Sequence, residues 1–98
     1  MFDKMKALMD MQRKMQDIKR QLENTVFEAE SSNGLVKITM NGSQEIKDVK
    51  INGDLKTMES LSLEQAIKDS LFKAIKKSQT VAADKMKEVT GMNLPGVT

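Results

Sequence analysis

The chain has no cysteine, histidine, tryptophan or tyrosine, and a single proline in 98 residues. Without cysteine there are no disulfides and no thiolate metal sites. Without histidine the usual general base and the commonest metal ligand are missing. No nucleophile–base pair, phosphate-cradling loop or ligand cluster can be assembled from what remains, so no enzyme activity, cofactor, metal or small-molecule substrate is expected. Glu28 and Glu30 lie on one side of a strand with no catalytic partner and read as solvated. No apolar run approaches the ~20 residues of a membrane span. The opening Met1-Phe2-Asp3-Lys4-Met5-Lys6 lacks the continuous apolar stretch of a secretory signal. A soluble cytoplasmic protein is the expectation.

What is present is charge and helical periodicity. Lys and Arg number 16 against 14 Asp and Glu, a formal +2, too mild an excess to announce nucleic acid alone. The length fits one small domain over 1–98, α+β in class, with element order α-β-β-β-α. The first helix is expected over about 2–23. Leu8, Met11, Met15, Ile18 and Leu22 recur at 3-4-3-4 spacing, an apolar stripe for core or dimer packing. On another face Asp3, Lys6, Asp10, Arg13, Asp17 and Arg20 form a ladder of alternating sign.

The period then changes to two. Strands are expected over about 26–31, 35–41 and 44–52, an antiparallel meander. Gly34 closes the first turn, where φ > 0 is free of steric cost. Val36, Ile38 and Met40 form one apolar face. After Met40, a two-residue Asn41-Gly42 loop would place Ile38 opposite Glu45. A three-residue loop, Asn41-Gly42-Ser43, places it opposite Ile46 and keeps apolar residues together. Val49 and Ile51 then need a bulge near Lys47-Asp48.

A second helix is expected over about 62–90. Ser62-Leu63-Glu64-Gln65 has the form of a capping box. Leu63, Ala66, Ile67, Leu71, Ala74, Ile75, Ala82, Met86 and Val89 supply its stripe. Gly91 and Pro95 stop it, leaving an extended tail over 91–98. Two helices of ~33 and ~42 Å overrun strands of ~20 to 26 Å. Their stripes therefore need further cover, and a C2 homodimer supplies it.

Three segments carry a family resemblance: "GLVKITMNGSQEIKDVKI", the preceding "MKALMDMQRKMQDIKRQLEN" and the closing "KMKEVTGMNLPG". Together they resemble the YbaB/EbfC nucleoid-associated protein family of bacteria over nearly the whole chain. The middle segment is the specific part. The resemblance implies an intertwined homodimer with protruding helices, double-stranded DNA as partner, and a nucleoid location in the cytoplasm.

Phosphate binding needs bases not already paired on their own helix. Lys6, Arg13 and Arg20 have acids three or four residues away, so the ladder reads first as a self-satisfied solvated face. Lys76 and Lys77 have none, and Lys73 adjoins both, which makes "KAIKKSQ" the least neutralised patch. Two readings of that patch stand: a small, purposeless repulsion, or a phosphate-facing surface repeated twice in a dimer. The candidate DNA contacts are Lys73, Lys76 and Lys77, aided by Arg13, Lys14, Lys19 and Arg20. The competing function is a protein-interaction scaffold whose helical arms hold another protein.

Overall fold

The structure, a computed structural model, describes residues 2–90. Helix α1 (Phe2–Asn24) is followed by strands β1 (Val26–Glu30), β2 (Val36–Asn41) and β3 (Ile46–Ile51), and then by helix α2 (Ser60–Thr90). The α-β-β-β-α order matches the expectation. The strands form one antiparallel sheet in the order β1-β2-β3. The extended tail read for 91–98 lies outside the described residues.

The β2–β3 hairpin departs from the register expected of its sequence. Ile38 faces Val49, and Ile46 faces Met40. The loop has three residues, but they are Gly42, Ser43 and Gln44. Asn41 N–H donates to Glu45 O at 3.1 Å and Gln44 N–H to Asn41 O at 3.1 Å. Gln44 takes the left-handed conformation at φ 62°, as the third residue of such loops does. The expected irregularity is present: the register shifts by one between Thr39 and Met40, leaving Lys47 as the extra residue.

The reason lies in Asn41. It is fully buried and belongs to the strand, because its side chain holds the hairpin and the end of α1 together. Its Oδ1 accepts from the Ser43 and Glu45 N–H groups, both at 3.0 Å. Its Nδ2 donates to Glu23 O at 3.1 Å and Glu45 Oε1 at 2.8 Å. Gly42 N–H is shared between Leu22 O (2.9 Å) and Thr25 O (3.0 Å). The hairpin thus satisfies carbonyls at the end of α1, which have no partner inside the helix. Glycine at 42 serves close approach. A Cβ there would stand 2.9 Å from Leu22 Cδ2 and 3.0 Å from Leu22 O.

Helix α2 begins at Ser60, earlier than the expected capping box. Leu63 N–H donates to Glu59 O at 3.1 Å, so Glu59 opens the hydrogen-bond ladder and Ser62 sits within the first turn. A tight turn explains the early start. Asp54 accepts from Lys56 N–H through Oδ1 and from Thr57 N–H through its carbonyl, and delivers the chain already curled.

The core lies between α2 and the sheet. Ala29, Val36, Ile38 and Met40 meet Ala66 and Ala74, with Phe27, Leu35, Leu63 and Leu71 around them. The buried line of α2 is Ala66, Ser70, Ala74 and Ser78, four small residues at i, i+4 spacing that let the helix lie close to the strands. The serines are satisfied by nearby carbonyls, Ser70 Oγ on Ile67 O at 3.0 Å and Ser78 Oγ on Asn41 O at 3.1 Å. Ile67 and Ile75, read as stripe residues, lie at the exposed margin.

The molecule is elongated, 68 × 24 × 15 Å, with a radius of gyration of 18.2 Å. A compact chain of this length would measure ~13 Å. The excess reflects helices that outrun the sheet.

Candidate nucleic-acid interface

Helix α1 is anchored at its C-terminal end and free over most of its length. Ile18 is buried and Leu22 half-buried. Beyond them the stripe emerges into solvent: Met15 is 49% exposed, Met11 64% and Leu8 63%. On the remaining faces Arg13, Lys14, Lys19 and Arg20 are all exposed. Of the charge ladder, only Arg20–Asp17 closes, at 3.8 Å. Among the described residues, Arg13, Lys14 and Lys19 make no ion pair, so this face is less self-satisfied than its spacing implies. Gln16, Lys19, Arg20 and Glu23 line a shallow cleft of about 240 Å³.

The α2 patch is arranged differently. Ser31 N–H donates to Val36 O, which fixes the odd-numbered residues of β1 as those bonded to β2. The carbonyls of Glu28 and Glu30 therefore point out from the free edge of the sheet. Lys77 Nζ donates to Glu28 O at 2.6 Å. Lys73 Nζ donates to Glu30 O at 3.3 Å and Ser32 Oγ at 2.9 Å, and pairs with Asp69 at 3.3 Å. Two of the three patch lysines thus cap an edge strand that would otherwise offer bare carbonyls. Their partners are backbone groups some forty residues away, invisible to helical spacing. Lys76 instead lies over the Phe72 ring, 5.0 Å from its centroid. The residue is exposed. Ala29, Phe72 and these lysines line an open groove of about 450 Å³ along the edge of β1.

Asp69 completes the clasp. Ser32 N–H donates to its Oδ2 at 2.8 Å. That bond, helped by Lys73 and opposed by partial desolvation, holds its carboxyl below the ordinary value of 3.8. Neither Phe72 nor the Asp69–Ser32 contact is singled out by sequence pattern. The i, i+4 spacing of Phe72 and Lys76 was the available signal for the first.

Val36, Ile38 and Met40 are buried beneath α2. Their β3 partners Ile51, Val49 and Ile46 share that sheet face yet stand exposed, because α2 packs mainly over β1 and β2. The opposite face is polar, with Lys37 and Glu28 paired at 3.4 Å. Among the described residues no cluster of three or more acidic groups could hold a metal ion. No described helix is long and apolar enough to cross a membrane.

These features define a small α+β protein with a meander sheet on one long helix and a second helix projecting as a base-studded arm. The sequence profile of the YbaB/EbfC DNA-binding family matches residues 1–93, and the chain belongs to that family. A nucleoid-associated protein of Dictyoglomus thermophilum is 38% identical over 96 residues, covering 96% of this chain and 92% of its own. One of Legionella pneumophila is 34% identical over 92 residues, covering 93% and 82%. The crystal structure of an uncharacterized Helicobacter pylori protein shares the fold at a TM-score of 0.66 and 18% identity, over 90% of this chain and 99% of that one. The family is defined by DNA binding and not by a catalytic activity.

Proposed function

We propose that this protein is a homodimeric nucleoid-associated protein that binds double-stranded DNA through basic faces of its protruding helices. Its roles would be nucleoid organisation and gene regulation. The observation that carries the reading is the α1 arm. It presents Arg13, Lys14 and Lys19 exposed and without an ion pair among the described residues, in a chain whose family is defined by DNA binding. Lys76 is the α2 residue best placed to join them. Lys73 and Lys77 contribute field, and reach phosphates only if they leave the β1 carbonyls.

Dimerisation is supported by apolar surface that one chain leaves uncovered. Met5, Leu8, Met11 and Met15 on α1, and Ile46, Val49 and Ile51 on β3, are exposed. Covering both with a second copy would bury them and double the number of lysines facing a duplex. The same apolar surface would also suit a protein-interaction scaffold, so the test must separate the two. Affinity for several unrelated duplexes is measured against salt. Log K should fall with log[salt] with a slope of ~0.9 per phosphate neutralised. A flat dependence, with a partner retained after nuclease treatment, would favour the scaffold.

A further inference from the structure

The sequence places three Asn-Gly pairs at the three ends of the meander: Asn33-Gly34, Asn41-Gly42 and Asn52-Gly53. We infer that Asn52 is a site of spontaneous deamidation, and that the fold protects Asn41 from the same chemistry. In this reaction the glycine nitrogen attacks the asparagine Cγ. The new N–C bond forms, the Cγ–Nδ2 bond breaks, and ammonia leaves with the proton that the glycine nitrogen gave up. Water then opens the cyclic imide at either carbonyl, giving aspartate or isoaspartate. No oxidant or enzyme is needed. Glycine as the second residue removes the steric bar to attack, so backbone freedom and hydrogen bonding decide which pair reacts.

Those two factors separate the pairs sharply. At Asn41 the side-chain amide is buried and makes four hydrogen bonds. The attacking group, Gly42 N–H, is committed to Leu22 O and Thr25 O. At Asn33 the amide oxygen accepts from Ser31 Oγ (2.7 Å) and Leu35 N–H (3.1 Å), and Gly34 N–H donates to Ser31 O at 2.9 Å. At Asn52 the side chain is exposed and makes one bond, Nδ2–H to Gly34 O at 3.1 Å. Gly53 is also exposed, sits at φ 130°, and its N–H has no partner among the described residues. The nucleophile is therefore free only at Asn52. The product replaces the one amide donor with a carboxylate facing the Gly34 carbonyl. It removes the side-chain tie to Gly34 O while the Asn52 N–H bond to Leu35 O at 2.7 Å still closes the β2–β3 ladder, and it lowers the formal charge of the chain by one.

The test is native incubation at mildly alkaline pH followed by tryptic peptide mapping. Trypsin places Asn33, Asn41 and Asn52 on separate peptides, 21–37, 38–47 and 51–56. Conversion at Asn52 should lead, Asn33 should follow several-fold more slowly, and Asn41 should lag by at least about tenfold, since it must await unfolding. In denaturing urea the three rates should converge. Asn52→Gln, which disfavours the five-membered ring, should abolish conversion in the 51–56 peptide with the fold intact. Native conversion at Asn52 no faster than at Asn41 or Asn33 would overturn the inference, as would the same rate order persisting in urea.

Discussion

The Lys77 ammonium donates to the backbone carbonyl of Glu28 across 2.6 Å, joining the outward face of α2 to the free edge of the sheet. Four residues earlier Lys73 does the same to Glu30. Bases that look uncommitted along the helix are therefore partly engaged in closing the fold, and this changes what their replacement should do.

Lys77→Met keeps the methylene stem and removes the donor. Stability should fall by about 1 kcal/mol, the value of a typical net hydrogen bond. Urea denaturation would register it as a lower midpoint at unchanged slope. An unchanged midpoint would mean that the carbonyl is as well served by water.

For DNA, two triple variants should differ. Replacing Arg13, Lys14 and Lys19 with Gln should lower affinity and reduce the salt slope by up to ~0.9 for each phosphate no longer neutralised. Replacing Lys73, Lys76 and Lys77 with Ala should cost affinity too, accompanied by a stability loss that the α1 variant lacks. Equal salt slopes in wild type and the α1 variant would move the DNA surface away from α1.

The exposed stripe of α1 predicts the behaviour of Leu8→Glu and Met11→Glu. Either charge should shift the protein toward monomer in light scattering. Little change in helical signal is expected, because both side chains stand mostly exposed in the single chain. A dimer that survives both would place the interface elsewhere.

Two loop positions predict opposite signs. Gly42→Ala should destabilise by about 1–3 kcal/mol, because the added methyl meets the Leu22 carbonyl and the Val81 side chain in a packed junction. Gln44→Gly should stabilise by up to about 1 kcal/mol, because it relieves a left-handed residue that bears a Cβ. Chemical denaturation of both variants checks the pair.

Asp69 predicts an acid response. Its folded pKa is depressed, so the stabilisation from its Ser32 and Lys73 contacts is complete above its ordinary 3.8. It is lost as pH falls through the lower folded value. Asp69→Asn should flatten that acid limb in a denaturation series while leaving the neutral-pH slope unchanged.

Periodicity made the element order and both helices readable; that helices protrude was implied by the family resemblance. A 3-4-3-4 apolar recurrence cannot sit on a strand, and the alternation of Val36, Ile38 and Met40 cannot sit on a helix. The hairpin register was not readable, because apolar matching alone could not weigh the four hydrogen bonds that draw Asn41 into the strand. The buried serines of α2 were hidden for a related reason: small polar residues are admitted to a core once a nearby carbonyl satisfies them.

The sequence by itself determined which segments are helix and which strand, in what order they come, and the family through "GLVKITMNG". All of these depend on neighbours a few residues apart. Only the tertiary structure decided which cations are committed. Lys73 and Lys77 look free along their own helix, yet they reach carbonyls 43 and 49 residues away. Lys76, between them, does not. An ammonium on a flexible stem takes whatever acceptor the fold brings within reach, and helical spacing carries no information about an edge strand folded alongside.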